Sequence, residues 1–209
     1  FSALRNNLSA LVKLGNLFFN GFGVEQNYIK AKDYFELAAK QNNSDAYVNL
    51  GILFYNGFGV EQNYIKAKYY FELAAKQNNS DAYVNLGKLF ENGNCCTKDY
   101  LLSKYYYELS AKSSNSNAYL NLGNLYFNGF GVEQNYHKAI QYYEISAKQN
   151  NSNAYLNLGN MYFNGFGIRQ DYQRAKEYYL LSAKQNNSFA LLKLGNIYEN
   201  GYGVKQNYL

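Results

Sequence analysis

At 209 residues, with 47% hydrophobic side chains, 19% aromatics and a formal net charge of +5, the chain carries too much apolar surface for a disordered polymer. Its two cysteines are too few to staple a small secreted scaffold, and it has no run of about 18 apolar residues to span a bilayer. What remains is an ordered protein with enough chain to bury a real core. One feature of the composition is odd: there are 17 glycines and no proline, although loops ordinarily use both.

The glycines fall in register. Gly15, Gly51, Gly87, Gly123, Gly159 and Gly195 recur every 36 residues, as do Gly21, Gly57, Gly93, Gly129, Gly165 and Gly201. A third series, Gly23, Gly59, Gly131, Gly167 and Gly203, is interrupted at Cys95 without loss of spacing. The chain is an array. It reads as a single repeat domain, residues 1–209, of five to six units at roughly 8–43, 44–79, 80–115, 116–151, 152–187 and an incomplete 188–209. Residues 1–7 align with the end of a unit, and residues 207–209 fall where a new helix should begin. The sequence therefore reads as a piece of a longer chain, with no signal or targeting segment visible in it.

Residues 44–79 illustrate one unit. Ser44 or Asp45 is positioned to cap a helix, and Ala46, Leu50, Leu53 and Phe54 recur at helical spacing until Asn56-Gly57 ends the run, which predicts helix A over about 45–56. The loop Gly57-Phe58-Gly59-Val60-Glu61-Gln62 follows, its glycines free to take positive φ and Val60 expected in the core. Asn63 is the next cap candidate. Ile65, Ala67, Tyr70, Phe71, Ala74 and Ala75 form the apolar stripe of helix B, about 64–77, which ends where Asn78 can supply a left-handed cap. Helices this short are marginal alone, so they must be stabilised by stacking. The expectation is an all-α, right-handed superhelical α-solenoid of antiparallel helix pairs. Gly51 and its equivalents sit inside helix A at a cost of about 1 kcal/mol each relative to Ala, which implies that a helix approaches closely there.

The run Ala46-x-x-x-Leu50-Gly51-x-x-Phe54-x-x-Gly57-x-Gly59-Val60-x-x-Asn63-x-x-x-Ala67-x-x-Tyr70-Phe71-x-x-Ala74-Ala75 resembles the Sel-one-like repeat (SLR) family, a relative of the tetratricopeptide repeat, and the resemblance extends over the whole chain. Asn63 stands where that family often has Asp, retained here as Asp99 and Asp171, and Asn78 replaces a usual Gly. The third unit departs most, with Asn92-Gly93-Asn94-Cys95-Cys96-Thr97-Lys98-Asp99 in place of the loop. The resemblance implies a non-catalytic scaffold or adaptor that binds a protein or peptide on its concave face, in some relatives attached to a kinase or another enzymatic domain.

The residues carry little other chemistry. His137 is the single histidine, and its equivalents are Ile29, Ile65 and Gln173, so a triad or a zinc site with several histidines is excluded. Cys95 and Cys96 are too few for zinc by themselves and badly placed for a disulfide between helices; they read as reduced thiols, with a strained vicinal redox pair as the alternative. The Gly-Phe-Gly loops lack the strand and the Lys-Ser/Thr of phosphate-binding loops. Lys30, Lys32, Lys66, Lys68, Lys138 and Arg174 on helix B are interleaved with Glu36, Glu72, Glu108 and Glu144, a mixed solvated face rather than a nucleic-acid stripe. No cofactor, metal, small-molecule substrate or membrane is expected. The Asn-x-Ser sequences, such as Asn78-Asn79-Ser80, read as a helix-ending Asn before a capping Ser, and with so few cysteines the expected compartment is the cytoplasm.

Positions 45, 49, 52 and 56 share one face of helix A, opposite the apolar stripe. Across the array, position 49 gives Lys13, Asn49, Asn85, Asn121, Asn157 and Lys193, and position 52 gives Asn16, Ile52, Lys88, Asn124, Asn160 and Asn196. These ladders of amides are the candidate partner-binding residues, since Asn both donates and accepts and could hold an extended backbone. Specificity would fall to irregular rungs: Ile52, Lys88, Glu91, Phe189 and Glu199. Two other readings stay open: a segment that positions an attached enzyme, and a nucleic-acid-binding helical repeat.

Overall fold

A computed structural model describes residues 8–203. The expected helix end within residues 1–7 and the expected helix start at residues 207–209 lie outside them. Among the described residues the elements are eleven α-helices and no strands: α1 (Leu8–Asn20), α2 (Tyr28–Ala39), α3 (Ser44–Asn56), α4 (Tyr64–Ala75), α5 (Ser80–Asn92), α6 (Tyr100–Ala111), α7 (Ser116–Asn128), α8 (Tyr136–Lys148), α9 (Ser152–Asn164), α10 (Tyr172–Ala183) and α11 (Ser188–Asn200). Odd-numbered helices are helix A and even-numbered ones helix B. The chain divides into two compact halves, the first ending at Ser110 and the second beginning at Ala111.

Within each repeat the two helices run antiparallel. In the first half the Ser110 hydroxyl near the end of α6 donates to the Ser80 carbonyl at the start of α5. In the second half Ser146 and Ser182 do the same to Ser116 and Ser152, each at 2.8 Å. These serines are fully buried, and the bond satisfies their hydroxyls.

The helical glycines are explained by one contact. A Cβ built on Gly15, Gly51, Gly87, Gly123 or Gly159 would stand 2.3–2.5 Å from the nearest ring carbon of Phe35, Phe71, Tyr107, Tyr143 or Tyr179. Each ring belongs to helix B of the same pair, and each is buried. The missing side chain is what makes room for that ring against helix A, and the area it buries offsets the poor helix propensity of Gly. At Gly195 the same Cβ would meet no described atom within 4 Å.

The loop aromatics bind consecutive repeats. Phe58 stacks on Tyr28 at 4.8 Å and meets Phe19 edge-on at 6.0 Å. In the second half Phe166 lies against Tyr136 and Phe127, and Tyr202 against Tyr172 and Phe163. The loop backbone runs so close to the preceding helix B that a Cβ on Gly59 would fall 2.7 Å from Tyr28 Cβ. Val60 is half-buried and touches the clusters on both sides of it.

Three local expectations need correction. The helix A cap is Asn43, one residue before Ser44, because the longer Asn side chain reaches the Ala46 amide at 2.8 Å. Helix B ends at Ala75, not 77: Lys76 to Asn78 form a turn closed by Asn78 at φ 58°. Ile65 is 75% exposed rather than part of the stripe, since it stands two residues before the buried Ala67 and so on the opposite side of α4. Ala46, Leu50, Leu53, Phe54, Ala67, Phe71 and Ala74 are buried, and Tyr70 is half-buried, stacked on Phe54.

Candidate partner-binding face

Lys13, Lys88, Lys193 and Asn196 are exposed, whereas Asn16, Asn49, Ile52, Asn85, Asn121, Asn124, Asn157 and Asn160 are half-buried. The spacing of three residues puts positions 49 and 52 on the same side of helix A. Where consecutive repeats stack, position 52 of one meets position 49 of the next: Asn49 Nδ2 donates to Asn16 Oδ1 at 3.3 Å, and Asn157 Nδ2 to Asn124 Oδ1 at 3.1 Å. Ile52 cannot accept such a bond, and Asn85 turns back onto the Asp81 carbonyl of its own helix at 2.9 Å. The Asn121 amide nitrogen is buried and finds no hydrogen-bond partner among the described residues.

Position 52 has a second duty that the sequence reading missed. Tyr143 and Tyr179 donate their hydroxyls to Asn124 Oδ1 at 2.9 Å and Asn160 Oδ1 at 2.8 Å. In the third repeat, where position 52 is Lys88, the Tyr107 hydroxyl goes to Glu91 at 2.6 Å. Burial pushes all three phenols well above the ordinary tyrosine value, and the Glu91 carboxylate adds to this at Tyr107. A signal was present in the sequence: the ring on the helix glycine is Phe35 and Phe71 in the first two repeats but Tyr in the next three, and only those three need an acceptor.

One oxygen of the Glu91 carboxylate therefore accepts from a core hydroxyl. Asn20, Asn56, Asn128, Asn164 and Asn200 each donate to the carbonyl four residues earlier, closing the last turn before the left-handed glycine. Ile52 packs its side chain on two apolar clusters.

In the second half the ladder opens into a cavity of about 240 Å³ between α7 and α9. It is lined by Asn124, Asn157 and Asn160 together with Phe127, Asn128, Tyr143 and Met161. Amides on an apolar floor suit a backbone segment carrying a small or apolar side chain.

On the other face several of the charges are paired or lie over rings. Lys32, Lys68 and Lys104 pair with Glu36, Glu72 and Glu108 one turn on, at 2.8–3.1 Å, and the Glu72 partner raises the Lys68 pKa. Lys30, Lys66, Lys138 and Arg174 lie over the rings of Phe18, Phe54, Tyr126 and Tyr162 at 5.1–5.5 Å. His137 is exposed on α8. Cys95 and Cys96 are free thiols, and burial, then contact with Cys96, pushes the Cys95 pKa up to about 11. Among the described residues there is no group of three His, Cys, Asp or Glu that could hold a metal, and no helix is long and apolar enough to cross a membrane.

Helix pairs repeating every 36 residues, each closed by a glycine under an aromatic ring, define a helical-repeat protein of the kind that generally mediates protein–protein interaction. The chain belongs to the Sel1 repeat family, whose sequence model matches residues 8–43, 44–79, 80–115, 116–151, 152–187 and 188–209. It is similar to the crystal structure of a Sel1 repeat protein from Oxalobacter formigenes, with 32% identity, 97% of this chain and 83% of that one covered, and a TM-score of 0.84. It is also similar to c5321, a protective antigen of uropathogenic Escherichia coli with an SLR fold, at 32% identity over 96% of this chain and 43% of that one, TM-score 0.72. The immunity protein Pa5087 from Pseudomonas aeruginosa matches at 26% identity over 86% and 69%, TM-score 0.66. No curated protein matches the chain. Proteins of this family are generally non-enzymatic.

Proposed function

We propose that the chain is a scaffold or adaptor that holds an extended segment of a partner protein against the helix A face. The observation that supports this reading is the cavity of about 240 Å³ in the second half, where three ladder amides surround Phe127 and Met161. Much of the amide ladder is committed to internal bonds, so in the second half the partner is read by what those bonds leave: the cavity itself and the exposed Lys193 and Asn196. Lys193 in the same half favours a partner segment that carries an acidic side chain.

The test is a selection of random peptides on the intact protein, followed by affinity measurements on two variants. Asn128→Arg places a long side chain at the mouth of the cavity, and Gln173→Arg places one on exposed helix B of the same half. The expected result is at least tenfold weaker binding to the first variant and unchanged binding to the second. Peptides that bind both variants as they bind the parent would refute a helix A site.

A further inference from the structure

Repeat three keeps the ends of its loop but not the path between them. The Asp99 amide still donates to the Phe90 carbonyl at 2.9 Å, as Asn63 does to Phe54, and Asp99 still caps the next helix through the Leu102 amide. Gly93 keeps the left-handed conformation, but Cys95 does not take the positive φ used by Gly59 at the same position. Asn94 replaces the loop aromatic and accepts from the Tyr55 hydroxyl at 3.3 Å, so a polar clamp substitutes for the ring stack of other repeats. The outcome is that Cys95 and Cys96 present their sulfurs 3.8 Å apart.

We infer that Cys95 and Cys96 form a two-sulfur site for a thiophilic divalent ion of the zinc and cadmium class. Two zinc–sulfur bonds of about 2.3 Å meeting near the tetrahedral angle hold their sulfurs about 3.8 Å apart, which is the separation found here. Cys95 is half-buried against the cluster around Phe54, Phe71 and Leu89, which fixes one ligand, and Cys96 is exposed, which leaves an approach from solvent. Thiolate ligands select soft and borderline ions over magnesium or calcium. The described residues bring no third ligand to the pair, so the chain supplies two of a tetrahedral ion's four positions, fewer than the three or four of a complete protein zinc site, and the other two fall to water or an external ligand. Binding displaces one proton from each thiol to solvent and forms two metal–sulfur bonds; no oxidant or reductant takes part.

Titration of the intact protein with cadmium, followed by thiolate-to-metal absorption in the ultraviolet, tests the site. The expected band saturates at no more than one ion per chain and is lost in Cys95→Ser and Cys96→Ser alike, with the helical circular dichroism of both variants unchanged. The inference is overturned by the absence of a band in the parent, or by a band that survives in either single variant. It is equally overturned if the two thiols close on each other as a disulfide in preference to binding the ion under reducing conditions.

Discussion

The Tyr143 hydroxyl donates to Oδ1 of Asn124 at 2.9 Å, so an amide at a rung of the candidate binding ladder also satisfies a phenol that is 2% exposed. The same oxygen accepts from Asn157, which ties helix B, helix A and the next helix A together at one atom. Replacing Asn124 by Ala leaves a buried hydroxyl proton without its acceptor, at an expected cost of about 1–3 kcal/mol. The double variant Asn124→Ala with Tyr143→Phe removes the need along with the acceptor and should recover more than half of that loss. Urea unfolding of the parent, both single variants and the double variant closes the cycle; strictly additive losses would show that the pair is not coupled.

The three buried phenols make stability depend on pH in one direction. Tyr107, Tyr143 and Tyr179 are raised above the ordinary tyrosine value by burial, so the folded chain keeps protons that the unfolded chain releases. Their stabilising contribution is complete below the unfolded tyrosine value of about 10 and is lost as pH rises beyond it. Above pH 10, the unfolding free energy is expected to fall by about 1.4 kcal/mol per pH unit for each such group. Tyr143→Phe removes one group, so its alkaline slope should be shallower than the parent's by that amount; parallel slopes would contradict the burial argument.

The glycines show how far the sequence can be read. Their register alone predicted a close helix approach at Gly51 and its equivalents, because a repeated propensity cost implies a repeated contact. The identity of the contact, one aromatic ring from the paired helix B, depends on three-dimensional placement that spacing does not encode. Likewise the capping asparagines were legible as helix ends, but Asn43 and Ser44 are both good caps and only side-chain reach chooses between them. The ladder amides read as surface because Asn is polar; that Asn124 and Asn160 serve buried tyrosines follows only from pairing position 52 with the ring nineteen residues on. Ile65 read as core because it is apolar, yet it stands two residues before the buried Ala67, on the outer side of α4.

One helix glycine separates packing from propensity within the same molecule. Gly159→Ala would drive a Cβ to 2.4 Å from the Tyr179 ring, which must move, and a loss of about 1–3 kcal/mol is expected. Made in a Tyr179→Ala background the same substitution meets no ring, so the gain in helix propensity, about 0.5–1 kcal/mol, should appear as a melting temperature above that of Tyr179→Ala alone. Equal shifts of the same sign in thermal melts in the two backgrounds would refute the ring contact as the reason for Gly at position 159.

Asn79 joins capping to stacking. Its Oδ1 accepts from the Asp81 and Ala82 amides at the start of α5, while its Nδ2 donates to Asp45 at 2.9 Å and Ser44 at 3.2 Å on the preceding helix A. Asn79→Ser keeps a capping oxygen but loses the donor that reaches the previous repeat; Asn79→Ala loses both. The expected order of stability is parent, then Ser, then Ala, with the last step worth about 1 kcal/mol for the cap and the first about 0.5–1.5 kcal/mol for the bridging hydrogen bonds. Denaturant titrations of the three proteins give the order directly, and a serine variant as stable as the parent would mean that the bridge between repeats contributes nothing beyond the cap.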